Sequence, residues 1–411
     1  MFSVSNILCG VTSGNERLRY GHKKNSDKER DGLLKPVLRD PYPRAPKPVV
    51  AWAVTGVCNL TCKHCYAAAG ITPRPNELST LEGFALIENL RAFGVPALLF
   101  SGGEPLMRPD LLALVDHAVA LGISCTLSTN GLLIDDYVAQ RLKRAGLKYV
   151  GVSIDGMRKT HDKLRGKVGA FDKALAAIER CQAVGLRVGA RFTVHKLNEP
   201  ELEDLLDLCV EKKIHRICVY HLAYAGRGKA LRDVDLSPEE TRKVVDRVFA
   251  WTERAHARGE DVEVLTVGNH CDQAYALLRL ERDDPRRADK AWAMLRHNGG
   301  NRSGQNIASI GPTGDVFIDQ FSWHYPCGNI RQQTFGEIWG DPMAPRLRTL
   351  RRRPEGLPEQ CQSCRFVSVC NGNLRTRAEV ATGDFMGMDP QCYLTDQERT
   401  PTKRAAMGLS R

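Results

Sequence analysis

The chain has 411 residues, 42% of them hydrophobic and 26% charged, with a formal net charge of +11. This balance supplies a sizeable core for one large and one smaller domain and excludes a disordered chain. No apolar run is long enough to span a bilayer and the N-terminus has no secretory pattern, so the expected location is the cytoplasm.

The basic surplus suits a polyanion such as a nucleic acid, a membrane surface or a substrate with several carboxylates, or it only solubilises the surface. Basic clusters at Arg286-Arg287 and Arg351-Arg352-Arg353 are not interleaved with aromatics. Neither a nucleic acid nor a membrane is therefore the expected partner. Fourteen cysteines in a chain of this length point to metal or redox chemistry rather than to a disulfide framework.

In chain order, residues 1–44 read as an irregular leader that packs on the main domain or stays mobile. From Val49 short β-branched runs (49–54, 97–102, 123–129, 148–154, 187–194, 215–222) alternate with helical patterns (79–93, 109–121, 134–145, 170–184, 199–212, 237–258). Six β-then-α units predict an α/β fold, a partial (β/α)6 TIM-like barrel over residues 45–265 with its active site at the C-terminal strand ends. Residues 266–411 read as a smaller domain: helical to about 300, then a hairpin in IASIGPTGDVFIDQ, then a cysteine-rich tail. Cys125, Cys181, Cys209 and Cys218 fall inside predicted strands or helices and read as small core residues.

The first cysteine group, Cys58-Asn-Leu-Thr-Cys62-Lys-His-Cys65-Tyr66, directly follows the first strand. Three thiolates from one short loop suit three corners of a cubane cluster and leave one iron open. A zinc site would want a fourth ligand, and His64 between Lys63 and Cys65 is poorly placed to be one. The next strands end in Ser101-Gly102-Gly103-Glu104-Pro105, Ser128-Thr129-Asn130-Gly131 and Ser153-Ile154-Asp155-Gly156. The fifth carries Arg191, with Asn198 shortly after it. Glycines admit a ligand to the backbone, Glu104 offers a carboxylate to an ammonium group, and Arg191 a guanidinium to a carboxylate.

The cysteine triplet followed by Gly-Gly-Glu-Pro resembles the radical S-adenosylmethionine (radical SAM) superfamily over about residues 48–225. The resemblance implies that Cys58, Cys62 and Cys65 bind a [4Fe–4S] cluster whose open iron chelates S-adenosylmethionine. It implies a cofactor site of Tyr66, Gly102, Gly103, Glu104, Ser128, Asn130, Ser153, Asp155 and Arg191. It also implies cleavage to a 5′-deoxyadenosyl radical, with electrons from a donor such as a ferredoxin or flavodoxin.

The tail reads Cys361-Gln-Ser-Cys364, then Cys370, then Cys392, with Cys327 upstream as a possible addition. Spacing alone leans to zinc. The tail resembles the SPASM or twitch extension of radical SAM enzymes, which implies one auxiliary [4Fe–4S] cluster instead.

Further segments resemble the enzymes of alternative haem and haem d1 synthesis: Asn269-His270, Asn298–Gly304, Asp319-Gln-Phe321 with His324-Tyr325, Gly328–Arg331, Phe335–Trp339, Asn371–Glu379, Thr382–Asp384 and Asp389–Asp396. The start, Met1 to Gly10 followed by Leu18-Arg-Tyr-Gly21, resembles the member that removes acetate side chains from 12,18-didecarboxysiroheme to give iron-coproporphyrin III. Cys271, where that group suggests a small residue such as Ala, departs from the pattern. Cys9, His270 and His324 are then candidate ligands to a substrate iron, and Arg302, Arg331, Arg375 and Arg377 candidate clamps for its carboxylates. Within that group the alternatives are oxidative decarboxylation of two iron-coproporphyrin III propionates to give haem b, or action on two propionates in haem d1 synthesis; an alternative of another class is a peptide-modifying enzyme with the same tail, which would want a separate site for a leader peptide. The expected unit is a monomer.

Overall fold

The computed structural model describes residues 1–12, 42, 44–340 and 342–400. Its strands are β1 (Phe2–Ser3), β2 (Val49–Ala53), β3 (Ala97–Ser101), β4 (Ser124–Thr129), β5 (Tyr149–Ser153) and β6 (Val188–Val194). They continue with β7 (Arg216–His221), β8 (Glu263–Val267), β9 (Ile307–Ile310), β10 (Asp315–Phe317) and β11 (Gly328–Asn329). All join one 11-stranded sheet in the order β1-β8-β7-β6-β5-β4-β3-β2-β9-β10-β11. Strands β2 to β8 are parallel and lie in sequence order. Because β1 and β11 are the edges, the sheet stays open, a partial barrel.

The parallel strands are buried on both faces, as a helix-covered sheet requires: Val50, Leu98, Leu127, Val150 and Val188 have no exposed surface. The connecting helices follow the apolar periodicity. The helix Thr80–Phe93 opens with a Ser79–Glu82 capping box and ends on Gly94 at φ +87°. The helix Pro238–Ala257 opens with a Ser237–Glu240 capping box and proline in its first turn. Cys125, Cys181, Cys209 and Cys218 are core residues, none more than 2% exposed.

Three elements differ from expectation. The start of the expected irregular leader is ordered: Phe2–Ser3 pairs antiparallel with Leu265–Thr266, and the helix Val4–Cys9 follows under a Ser3 cap. Phe2, Val4 and Ile7 anchor it because they are apolar enough to join the core. Leu18–Gly21 lies outside the described residues. The strand β8 adds a seventh parallel member, helped by Glu263, whose carboxylate accepts from Arg216 at 2.5 Å and so enters the sheet paired. A helix at Arg158–Arg165 lies between the expected fourth strand and the helical pattern at 170–184, where no element is expected.

The tail extends the sheet. The expected hairpin forms between β9 and β10, and β9 also pairs in parallel with β2. Among the described residues no helix is long and apolar enough to cross a membrane.

Candidate active site

A cavity of about 190 Å³ sits at the C-terminal ends of the parallel strands. Cys58, Cys62, Cys65 and Tyr66 reach it from the loop after β2, and Gly102 and Gly103 from the turn after β3. Ser128, Asn130, Ser153 and Arg191 reach it from β4, β5 and β6. Residues more than 100 positions apart thus meet because each ends a neighbouring strand.

The cysteine loop is tied down on every side. Glu77 accepts from Gly56 N at 2.7 Å and Thr55 Oγ1 at 2.8 Å. Arg227 donates to the Cys62 and Ala69 carbonyls at 2.8 and 2.7 Å. Thr61 N and Lys63 N donate to the Arg165 and Leu164 carbonyls at the end of the helix Arg158–Arg165. Gly103 packs against the same loop: a Cβ there would lie 2.1 Å from the Val57 carbonyl oxygen, which no side chain tolerates.

Beneath the cysteines lies a buried charge cluster that the sequence did not announce. Asp155 is fully buried and pairs with Arg165 and, at 3.2 Å, with His64 Nε2. It also accepts from Thr193 N at 2.9 Å. Burial alone would raise its carboxyl, but Arg165 and His64 prevail and hold it far below the usual range. Arg165 in turn donates to Cys62 Sγ at 3.5 Å. Asp155 therefore does not line the cavity; it positions Arg165 and His64, which do.

Glu104 departs from expectation in a similar way. It is fully buried, and its carboxylate accepts from Thr129 Oγ1 at 2.7 Å, Asn130 N at 2.8 Å and Leu106 N at 3.2 Å. Burial pushes it up to about 7 against those three donors. It joins the β3 and β4 turns rather than presenting a free carboxylate to a ligand. Arg191 Nη1 donates to Ser128 Oγ at 2.5 Å, and among the described residues its buried Nε has no partner. Tyr66 OH lies 3.2 Å from Ser101 Oγ, and its ring meets Phe321 edge-on at 5.4 Å. The tail segment Gln320–Phe321 thus forms part of the cavity wall.

The proposed iron ligands and clamps are elsewhere. Cys9 ends its helix among Glu253, Arg279 and Arg287 and lines neither cavity, because that helix packs on the far edge of the sheet. The His270 ring sits beside Gln273 Nε2, and burial lowers its pKa. His324 is exposed and pairs with Glu379 at 2.8 Å. Arg331 pairs with Glu82, and Arg302 reaches Asn306. Arg377, fully buried, grips Asp389 with two hydrogen bonds and donates to the Leu222 carbonyl at 3.1 Å. Its role is to bind the tail to β7.

A second cavity gathers the tail cysteines Cys361, Cys364, Cys370 and Cys392. Cys271 joins them from the first turn of the helix Cys271–Asp283. It is fully buried, in hydrogen-bonding reach of Cys370 and Cys392, and accepts from Asn373 Nδ2 at 3.7 Å. Spacing gives no signal for it, since it stands 90 positions before the tail group. Cys327 does not line this cavity; it faces Asp319 and Arg351, because β11 carries it to the hairpin side. The fully buried Arg375 points charge at Cys361 and Cys370, and its Nε and Nη2 have no partner among the described residues. Orphaned donors beside a nest of thiols fit an anionic iron–sulfur cluster.

Residues 52–209 match the Radical SAM superfamily and residues 302–365 the SPASM iron–sulfur cluster-binding domain. The chain is 45% identical to Fe-coproporphyrin III synthase of Methanosarcina barkeri, over 97% of this chain and 98% of that protein. It belongs to the radical SAM family of alternative haem synthesis. Pre-heme d1 synthase of Dinoroseobacter shibae is 41% identical over 86% of this chain and 88% of that one. The crystal structure of Streptococcus suis SuiB bound to S-adenosylmethionine shares the fold, with a TM-score of 0.66 at 19% identity over 85% of this chain and 78% of that one. As a radical SAM/SPASM protein the chain is an enzyme that uses S-adenosylmethionine with a [4Fe–4S] cluster and carries an auxiliary cluster.

Proposed function

We propose that this enzyme removes two acetate side chains from 12,18-didecarboxysiroheme to give iron-coproporphyrin III. The observation that carries the reading is the reach of the likeness to Fe-coproporphyrin III synthase, 97% of the chain against 86% for pre-heme d1 synthase. The basic surplus suits a substrate with several carboxylates.

In this reading Cys58, Cys62 and Cys65 hold the S-adenosylmethionine-binding cluster, and Cys361, Cys364, Cys370 and Cys392 the auxiliary one. When bound, the first cluster and S-adenosylmethionine supply a 5′-deoxyadenosyl radical for hydrogen abstraction. The chain does the rest. Arg165 offers an N–H to a cluster thiolate and Asp155 fixes Arg165 in place. Arg191 Nε and Arg227 Nη2 are buried donors without partners among the described residues, open to a carboxylate or hydroxyl in the cavity. Tyr66 and Phe321 wall off water. A ferredoxin or flavodoxin supplies electrons to a monomer in the cytoplasm.

The test is product identity. Reconstituted protein is incubated anaerobically with S-adenosylmethionine, dithionite and either 12,18-didecarboxysiroheme or iron-coproporphyrin III, and the tetrapyrrole is weighed by mass spectrometry. Loss of both acetates is the expected result. Turnover of iron-coproporphyrin III to a divinyl product, or loss of propionates instead, would replace the acetate assignment.

A further inference from the structure

His221 ends β7 and lines the active cavity, and no motif or spacing singles it out. Its Nε2 lies 2.8 Å from Asp272 Oδ2. Asp272 is fully buried, and its second oxygen accepts from Tyr393 OH at 2.8 Å. The carboxylate also sits in the first turn of the helix Cys271–Asp283, where the helix dipole favours negative charge. The imidazole is therefore held by a locked carboxylate. With Nε2 committed to Asp272 and the residue on the cavity wall, Nδ1 is the nitrogen left for an occupant of the cavity.

An imidazole whose other nitrogen donates to a carboxylate is the arrangement by which proteins orient and strengthen a metal-binding histidine. An iron tetrapyrrole brings a metal with axial positions to fill. His64, the other histidine on the cavity wall, cannot serve: its Nε2 pairs with Asp155 and its Nδ1 is enclosed by protein. Cys9, His270 and His324 do not line the cavity.

We propose that His221, oriented by Asp272 and Tyr393, binds the iron of the tetrapyrrole substrate as an axial ligand. The proposal rests on the tetrapyrrole reading above. It assigns His221 to positioning the macrocycle so that one face and its side chains meet the radical source.

The experiment titrates the reconstituted holoprotein anaerobically with iron(III)-coproporphyrin III and, separately, with metal-free coproporphyrin III. Absorption and electron paramagnetic resonance follow the iron. Wild type should give an imidazole-ligated iron signature. His221→Ala should lose it and bind the iron porphyrin about tenfold more weakly, with metal-free affinity unchanged and free imidazole restoring the signature. Asp272→Asn should keep a ligated iron with shifted g-values. An identical iron spectrum in wild type and His221→Ala, with both porphyrins bound, overturns the ligand assignment alone. Failure of wild type to bind either porphyrin overturns the tetrapyrrole reading and this inference with it.

Discussion

Cys62→Ala is expected to lower bound iron from about eight atoms per chain to about four and to abolish 5′-deoxyadenosine formation. Cys62 accepts a hydrogen bond from Arg165 and lines the cavity with Cys58 and Cys65. Two thiolates do not hold a cubane that needs three from this loop. The loop itself should survive, because Glu77, Arg227 and the end of the helix Arg158–Arg165 hold its backbone. The control is Cys125→Ala, in the core of β4, which should keep all eight irons and full cleavage. Cleavage surviving in Cys62→Ala would remove this loop from the chemistry.

The second large effect is on stability. Asp155→Ala strips the carboxylate partner from two largely buried groups, Arg165 and His64. Breaking a buried pair from one side costs about 3–5 kcal/mol, so thermal unfolding should shift down by many degrees. Asp155→Ala with Arg165→Leu should recover part of that loss, because no cation is then stranded. The carboxyl is held below its unfolded range, so its contribution is complete above that range and fades only as acid takes the pH down toward the folded value. Differential scanning calorimetry of the single and double variants at neutral pH checks this. Equal melting temperatures for Asp155→Ala and wild type would refute the charge cluster as a structural anchor.

Much of the site was legible in the sequence because its signals are local. The three cysteines lie in one loop, and the Gly-Gly, Ser-Thr-Asn and Ser-Ile-Asp turns each close a strand whose apolar run is readable. What was not legible depends on distance. Arg165 meets Cys62 across 103 positions and His221 meets Asp272 across 51, and neither arrangement leaves a spacing pattern. Glu104 and Asp155 read from the sequence as cofactor contacts, and in the structure both carboxylates are engaged by neighbouring groups. Sequence shows a carboxylate at a strand end, not whether neighbouring donors already claim it. The tail arginines pose the same difficulty: Arg377 reads as a candidate clamp, and only the structure shows Asp389 against it. The strand β1 was too short to read, since two residues carry no alternation, and its place comes from Phe2 and the helix behind it joining the core.

Whether radical formation is coupled to a tetrapyrrole can be measured directly. Reconstituted wild-type enzyme, reduced and supplied with S-adenosylmethionine, is assayed for 5′-deoxyadenosine with and without 12,18-didecarboxysiroheme, and the tetrapyrrole consumed is measured alongside. The tetrapyrrole is expected to stimulate 5′-deoxyadenosine formation and to be consumed in fixed proportion to it. Steady cofactor cleavage with the tetrapyrrole recovered unchanged would rule out a tetrapyrrole substrate.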